Sequence, residues 1–420
     1  MEKLSMPVSE GFEEFEIVLA TYENFVLGYS FRRLQNGLFS LVQSFANSGH
    51  RASVRAVASG GKIMASGSSD ETIQLYNMTT RKEMGSLIKH DGTINALKFH
   101  GQSHLFSASD DGSICVWDTG SWQCLKTLKG HKQPVNDIAV HSSGKLLLSV
   151  SRDKSLYTWN LVKGRPAFIT NIKVEASRIE WCPTTSPGDF FIVIHGNCCD
   201  IYSTAVGGII GSIDFGGKIS DFTFIGEFLV LSGEKGKVNI FDLSVRNDLG
   251  KMAPSCVVDF NADISETRIK CVAYGGPSQR MGNHYLITGS SEGVVIVWLV
   301  NLAGSGAGTD DGDQSSGKVR QLAKATAGCR ITACNVYVNT EEDGPAADSD
   351  CATVKEVSVS KRISKTAMPK RKLEGNTVGE EEQQQKRVKR EGTKMAEIKK
   401  TERQGKKKKI GNNKQKEKCL

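Results

Sequence analysis

A segment that recurs at intervals of 41 and 42 residues constrains this chain more than any other feature. SGSSDETIQLYN from Ser66, SASDDGSICVWD from Ser107 and SVSRDKSLYTWN from Ser149 align without gaps. Each carries a Ser, an Asp four residues on, an aromatic six beyond it (Tyr76, Trp117, Trp159), then Asn or Asp. Weaker copies continue the frame. Tyr202 follows Trp159 by 43 residues, Phe241 comes 39 later, and Trp298 ends TGSSEGVVIVWL after a further 57, with 275–282 read as a loop insertion. The fourth and fifth copies have lost the turn Asp, with Gly196 and Lys235 in its place, and the sixth carries Glu292. This is the period of four-stranded blades stacked around an axis. Gly is abundant at 43 and Pro scarce at 9, which suits many short strands joined by tight turns.

A histidine stands upstream of each strong copy. His50, His90 and His131 precede Asp70, Asp111 and Asp153 by 20, 21 and 22 residues. Val54 and Val57, Ile94 and Leu97, Val135 and Ile138 then follow in a half-buried strand pattern. The sets His50/Ser66/Asp70, His90/Ser107/Asp111 and His131/Ser149/Asp153 have the residue types of a hydrolase triad. A triad occurs once per site, whereas these recur three times at one period. They read as structural, and no catalytic residue, cofactor or metal ion is expected. The repeats resemble the WD-repeat family. That resemblance implies a buried network in each blade, in which the turn Asp accepts from the His, the His bonds the strand Ser, and the Ser meets Trp117 or Trp159. Such a network fixes each loop against its strands, because buried polar groups must be paired. Tyr76 is expected to continue the chain through its hydroxyl, less faithfully than an indole N–H.

Strand-like sequence remains at both ends of the six repeats. EIVLATYE and NFVLGYSF, joined near Glu23 and Asn24, and the segment 37–45 read as three strands. After Trp298 and a Gly/Asp/Ser-rich insert at 303–317 come KVRQLAKA, assigned to the outer strand of blade 6, and RITACNVYV, assigned to the inner strand of a seventh blade. The expected fold is therefore an all-β, seven-bladed WD-repeat β-propeller over 12–338, closed by its N- and C-terminal strands, which leaves only short protected edges. A six-bladed ring capped by the N-terminal strands is the alternative.

The net charge of +8 hides a division: residues 361–420 hold 21 Lys/Arg against 8 Asp/Glu, leaving 33 basic and 38 acidic side chains in the first 360. Beyond Lys361 there are no aromatic residues, so 339–420 is expected to be a disordered basic tail. Lys370, Arg371 and Lys372, with Lys386, Arg387, Lys389 and Arg390, look like a bipartite signal for an import receptor. Lys406, Lys407, Lys408 and Lys409 form a third cluster. Such density also suits RNA phosphates, which need only positive charge. A merely solubilising tail is the plainer reading.

The eleven cysteines include no C-x-x-C pair, and Cys198 and Cys199 are adjacent, which disfavours a bridge between them. They read as reduced, intracellular thiols. The acidic start MEKLSMPVSEGFEEFE lacks the apolar region of a secretory signal, and no stretch approaches the roughly 18 apolar residues of a membrane helix. Gly304, Gly306 and Gly308 superficially suggest a phosphate loop, but Asp310, Asp311 and Asp313 follow rather than a helix carrying Lys. His195, Cys198 and Cys199 fall in the degenerate fourth repeat, where core filling is favoured over zinc.

SGSSDETIQLYNM, HDGTINALKFHG, DDGSICVWDTGSWQCLKTLKGHK and SSGKLLLSVSRDKSLYTWNLVKGRPAFITNIK together resemble the PAK-interacting family of WD-repeat proteins, over about 15–338 and most strongly over 60–175. The resemblance implies a nucleolar scaffold that assists assembly of the large ribosomal subunit and pre-rRNA processing. Its partners would be proteins of the precursor particle, rRNA through the tail, and the regulatory region of a Rho-GTPase-activated kinase (PAK) that it restrains. No membrane and no small-molecule substrate is implied. A cytosolic signalling scaffold, with kinase restraint as its main role, is the alternative.

Overall fold

The computed structural model describes residues 12–183, 190–245, 252–262, 267–278, 282–302 and 318–338, all within one compact unit that ends at Gly344. Among them, 28 strands form seven four-stranded antiparallel sheets. Six sheets are consecutive meanders whose inner strands begin at Val54, Ile94, Val135, Arg178, Ile219 and Ile269; these are blades 1 to 6. Blade 7 joins the two ends of the propeller, with Ile331–Tyr337 innermost and Phe12–Thr21, Val26–Arg33 and Phe39–Asn47 outward of it. Its closing pair is antiparallel, setting Glu16 opposite Tyr337 and Thr21 opposite Ile331. The ring is therefore seven-bladed and closed by both chain ends, and KVRQLAKA lies in the outer strand of blade 6, Val319–Thr326.

Local sequence explains the strand geometry. Most inner strands open with a β-branched residue at 0–3 % exposure: Val54, Ile94, Val135, Ile219, Ile269 and Ile331. In blades 1, 2, 3, 5 and 6 a register shift follows at once, and such a bulge twists the strand around the axis. The turn between second and third strands needs a left-handed residue after the turn-Asp position, filled by Glu71, Gly112, Lys154 and Gly293. At Gly293 a Cβ would lie 2.4 Å from the Cys329 carbonyl oxygen, so only glycine fits.

The core is divided among the seams between blades. Ile73 and Leu75 of blade 1 meet Ile94, Leu97 and Trp117 of blade 2, while Phe106 and Val116 of blade 2 meet Val135, Ile138 and Trp159 of blade 3. At the closing seam Phe15 stacks on Phe31 at 4.8 Å, with Tyr285 of blade 6 against both. Each fully buried side chain of this size contributes about 1.5–3 kcal/mol, so the wedges carry most of the stability.

One expectation is corrected in part. Residues 275–277 are strand: Ile269–Pro277 runs through a bulge at Gly275, and Pro277 pairs with His284, while 279–281 lie outside the described residues. Glycine marks bulges as well as loops, so composition alone could not separate the two. Part of the long interval before Trp298 arises after Phe241, where the outer strand starts 14 residues on, against seven between Trp117 and Cys124. The insert at 303–317, the tail at 339–420 and its basic clusters lie outside the described residues.

Candidate functional site

Two of the strong repeats carry a complete relay. In blade 2 Trp117 Nε1 donates to Ser107 Oγ at 2.9 Å, Ser107 Oγ lies 2.8 Å from His90 Nε2, and His90 Nδ1 lies 2.8 Å from Asp111. Blade 3 repeats it through Trp159, Ser149, His131 and Asp153 at 2.9, 2.7 and 3.0 Å. In blade 1 His50 stands 2.7 Å from Ser66 and 3.1 Å from Asp70. In blades 2 and 3 the serine oxygen can accept from an indole and donate to an imidazole, whose other nitrogen donates to the carboxylate. Ser66, Ser107 and Ser149 have no exposed surface, so none can meet a substrate.

Electrostatics follows from this pairing. Partial desolvation would raise the three carboxyls, but the hydrogen bonds they accept outweigh it, holding Asp70 and Asp153 below the ordinary range and Asp111 well below it. Burial depresses the His131 imidazole despite the attraction of Asp153. The pair is thus a neutral imidazole donating to a carboxylate. In blade 1 the relay stops at Ser66, contrary to expectation. The buried Tyr76 hydroxyl makes no hydrogen bond of normal geometry although Ser66 lies beside it, and burial pushes its phenol up to about 12. A phenol oxygen sits on the ring axis and an indole N–H on the ring flank, so the two do not reach the same point.

Sequence reasoning missed a second half of the device. Ser68, Ser109 and Ser151 donate to the carbonyls of Ala52, Gly92 and Gln133 at 3.1, 2.9 and 3.1 Å, and accept from the N–H of Asp70, Asp111 and Asp153. Each Asp in turn accepts the N–H of Thr72, Ser113 or Ser155 at 3.0, 2.7 and 3.0 Å, and that of Arg51, Asp91 or Lys132. The pattern Ser-x-Ser-x-Asp-x-Ser/Thr in the aligned segments was the available signal. Blade 6 keeps one link, Trp298 Nε1 to Thr288 Oγ1 at 2.9 Å, with Thr288 at the serine position. In blade 4 His195 Nε2 lies 2.8 Å from Asp200, Cys199 is fully buried and Cys198 half-buried.

The inner strands enclose an axial cavity of about 590 Å³ whose charged lining is Arg55, Lys98 and Arg178 against Asp137, Glu180 and Asp221. Lys98 pairs with Glu180 across blade 3, and Arg178 lies 3.5 Å from Asp221. Burial would depress the Lys98 ammonium, but Glu180 and Asp137 hold it above its ordinary value. Asp137 and Asp221 also accept the backbone N–H of Ile179 and Val272 from the next blade, at 3.0 and 3.1 Å. Asn95 and Asn136 likewise donate to the carbonyls of Val135 and Ala176. These side chains lace neighbouring blades together. Among the described residues no three His, Cys, Asp or Glu converge as metal ligands would.

Residues 39–77, 81–118 and 122–160 match the family model "WD domain, G-beta repeat". Each match takes the outer strand of one blade and three strands of the next, so repeat and blade are out of phase by one strand. The chain is 40 % identical over 293 residues to "p21-activated protein kinase-interacting protein 1-like" of Danio rerio, across 69 % of this chain and 74 % of that protein.

The chain belongs to the p21-activated protein kinase-interacting protein 1 family.

Its similarity to the Mus musculus member is 33 % over 338 residues, across 79 % of this chain and 81 % of the relative. "Protein MAK11" of Saccharomyces cerevisiae is 29 % identical over 227 residues, across 48 % and 54 %. The relay serines and imidazoles are enclosed within the blades, their aspartates reach the surface in part, and most of the channel charges are paired with one another.

Proposed function

We propose that this protein is a non-catalytic scaffold for nucleolar assembly of the large ribosomal subunit, acting in pre-rRNA processing, and that it also restrains a p21-activated protein kinase by binding its regulatory region. The observation that carries the reading is a propeller whose relay His and Ser side chains are buried inside the blades, joined to a segment rich in Lys and Arg. The propeller supplies faces for proteins of the precursor particle and for the kinase. The segment supplies an arm for an import receptor through Lys370, Arg371, Lys372, Lys386, Arg387, Lys389 and Arg390, which takes the protein to the nucleus and nucleolus. Lys406, Lys407, Lys408 and Lys409 contact rRNA phosphates. The kinase arm of the proposal draws on the names of the relatives, and the ribosomal arm on the wider resemblance.

Depletion of the protein tests it. A shortage of free large subunits with excess small subunits on a sucrose gradient is the expected result. A normal gradient with raised kinase activity would favour the second reading, a cytosolic scaffold whose main role is kinase restraint. Neutralising the first two basic clusters should make the folded protein cytoplasmic. Neutralising the third should flatten the slope of log affinity for RNA against log salt, by roughly 0.7–0.9 for each phosphate that the lysines no longer neutralise.

A further inference from the structure

Blades 2 and 3 part on the face opposite the His–Asp turns, leaving a groove of about 240 Å³. Its floor is apolar, made by Phe106, Val116 and Leu128, while Leu125 and Val162 stand on its lips at 56 % and 75 % exposure. Two turn glycines, Gly144 and Gly164, hold it open. Both have positive φ, and a Cβ would approach His100 Nε2 to 2.5 Å at the first and Lys126 Cε to 3.2 Å at the second. Lys126 lines the opening, and three more exposed cations lie next to its turn glycines along the chain: Lys145 after Gly144, and Lys163 and Arg165 on either side of Gly164. None of the four forms an ion pair among the described residues. The nearby carboxylate of Asp118 is occupied by the Ser121 N–H and O–H at 2.8 and 2.6 Å.

We infer that this groove docks an extended acidic peptide, seating one or two apolar side chains between Leu125 and Val162 while flanking carboxylates meet Lys126, Lys145, Lys163 and Arg165. The volume admits an anchor and no folded ligand. Charge alone would suit RNA equally, but the apolar floor and lips give a nucleic-acid backbone nothing to fill them. The inference rests on the reading of this chain as a protein-binding scaffold and names the surface that does the binding.

Fluorescence anisotropy on the full chain tests it, with labelled peptides EEDDLFDDEE and EEDDSSDDEE. The basic tail attracts both alike, so the readout is the ratio of their affinities. The anchored peptide is expected to bind about tenfold more tightly or better, as a buried apolar anchor allows. That ratio should fall to about one in Val162→Asp and in Leu125→Asp, two exposed positions where melting should not change. Lys163→Glu with Arg165→Glu should weaken the anchored peptide while the ratio survives in part. A ratio near one in the native chain, or a ratio that both Asp variants leave intact, overturns the inference. So does a labelled twenty-residue polyuridine that displaces the anchored peptide and itself loses affinity in Val162→Asp, which would make the groove an RNA site. Either failure leaves the depletion experiment untouched, so the two readings fall separately.

Discussion

Blades 2 and 5 build the same four-stranded sheet, each with a bulge after a buried Ile, and fill it with opposite chemistry. Four residues before that Ile blade 2 has His90 and blade 5 has Phe215; where blade 2 places Ser107 and Trp117, blade 5 places Leu231 and Phe241. The turn Asp111 becomes Lys235, and Ser113 becomes Lys237, whose ammonium donates to the Phe215 carbonyl at 3.1 Å and sits 5.0 Å from its ring. Blade 4 follows blade 5, with Val193 buried at the serine position. The polar relay has been exchanged as a set. A half-built network leaves polar atoms stranded in a low dielectric, whereas a complete network or a complete apolar core strands none. The two solutions should therefore fail in different ways.

Leu231→Ala should show the largest effect, a loss of about 2–5 kcal/mol from the cavity left beside Phe215 and Phe241. Asp111→Ala in blade 2 should cost about 1–3 kcal/mol, because His90 loses its acceptor and two N–H groups lose theirs. Chemical melts of both variants check the order. An Asp111→Ala protein as stable as the native one would break the comparison, since the relay would then be ornamental.

Acid sharpens it further. His131 titrates at a depressed value in the fold and near 6.5 when unfolded, so the unfolded chain binds more protons as pH falls. Its contribution is whole above about pH 6.5 and is lost as pH drops through the folded value. The depressed aspartates act in the same direction at lower pH, below their unfolded value of 3.8. The melting temperature should fall between pH 7.5 and 5.5, and His131→Gln should flatten that slope. Some slope should remain, because burial also depresses His284. An unchanged slope would mean that His131 binds protons equally in the folded and the unfolded chain.

Tyr76→Phe should give the smallest effect, within about 0.5 kcal/mol of native, since the hydroxyl it removes makes no hydrogen bond of normal geometry with Ser66. Trp117→Phe should cost clearly more, because Ser107 then loses its donor. Equal melting curves for the two would contradict the relay geometry.

The repeat made blades 1 to 3 legible from sequence alone, because His, Ser, Asp and Trp are rare enough in one spacing to stand out. Ring closure was legible too, since strand patterning survived at both ends of the repeats. Phe215 and Leu231 were not, because an apolar residue that replaces a relay member looks like any other core residue. Nor could sequence have paired Lys98 with Glu180, 82 residues apart, since only the ring brings them face to face. Tyr76 shows a finer limit: aromatic identity was read correctly, and the reach of its polar atom was not.

The closing pair of blade 7 has a mechanical consequence. Phe12–Thr21 and Ile331–Tyr337 run antiparallel, with Glu16 beside Tyr337, so the flanking chain enters one strand and leaves the other at the same end. Tension drawn between those two points would load the ladder one rung at a time, in the way a zipper opens, rather than shearing all its rungs together. The other blades, each a continuous hairpin meander, have no such loose pair of ends. A pull on the chain termini should therefore open the ring first along the line between these strands, with blades 1 to 6 still intact.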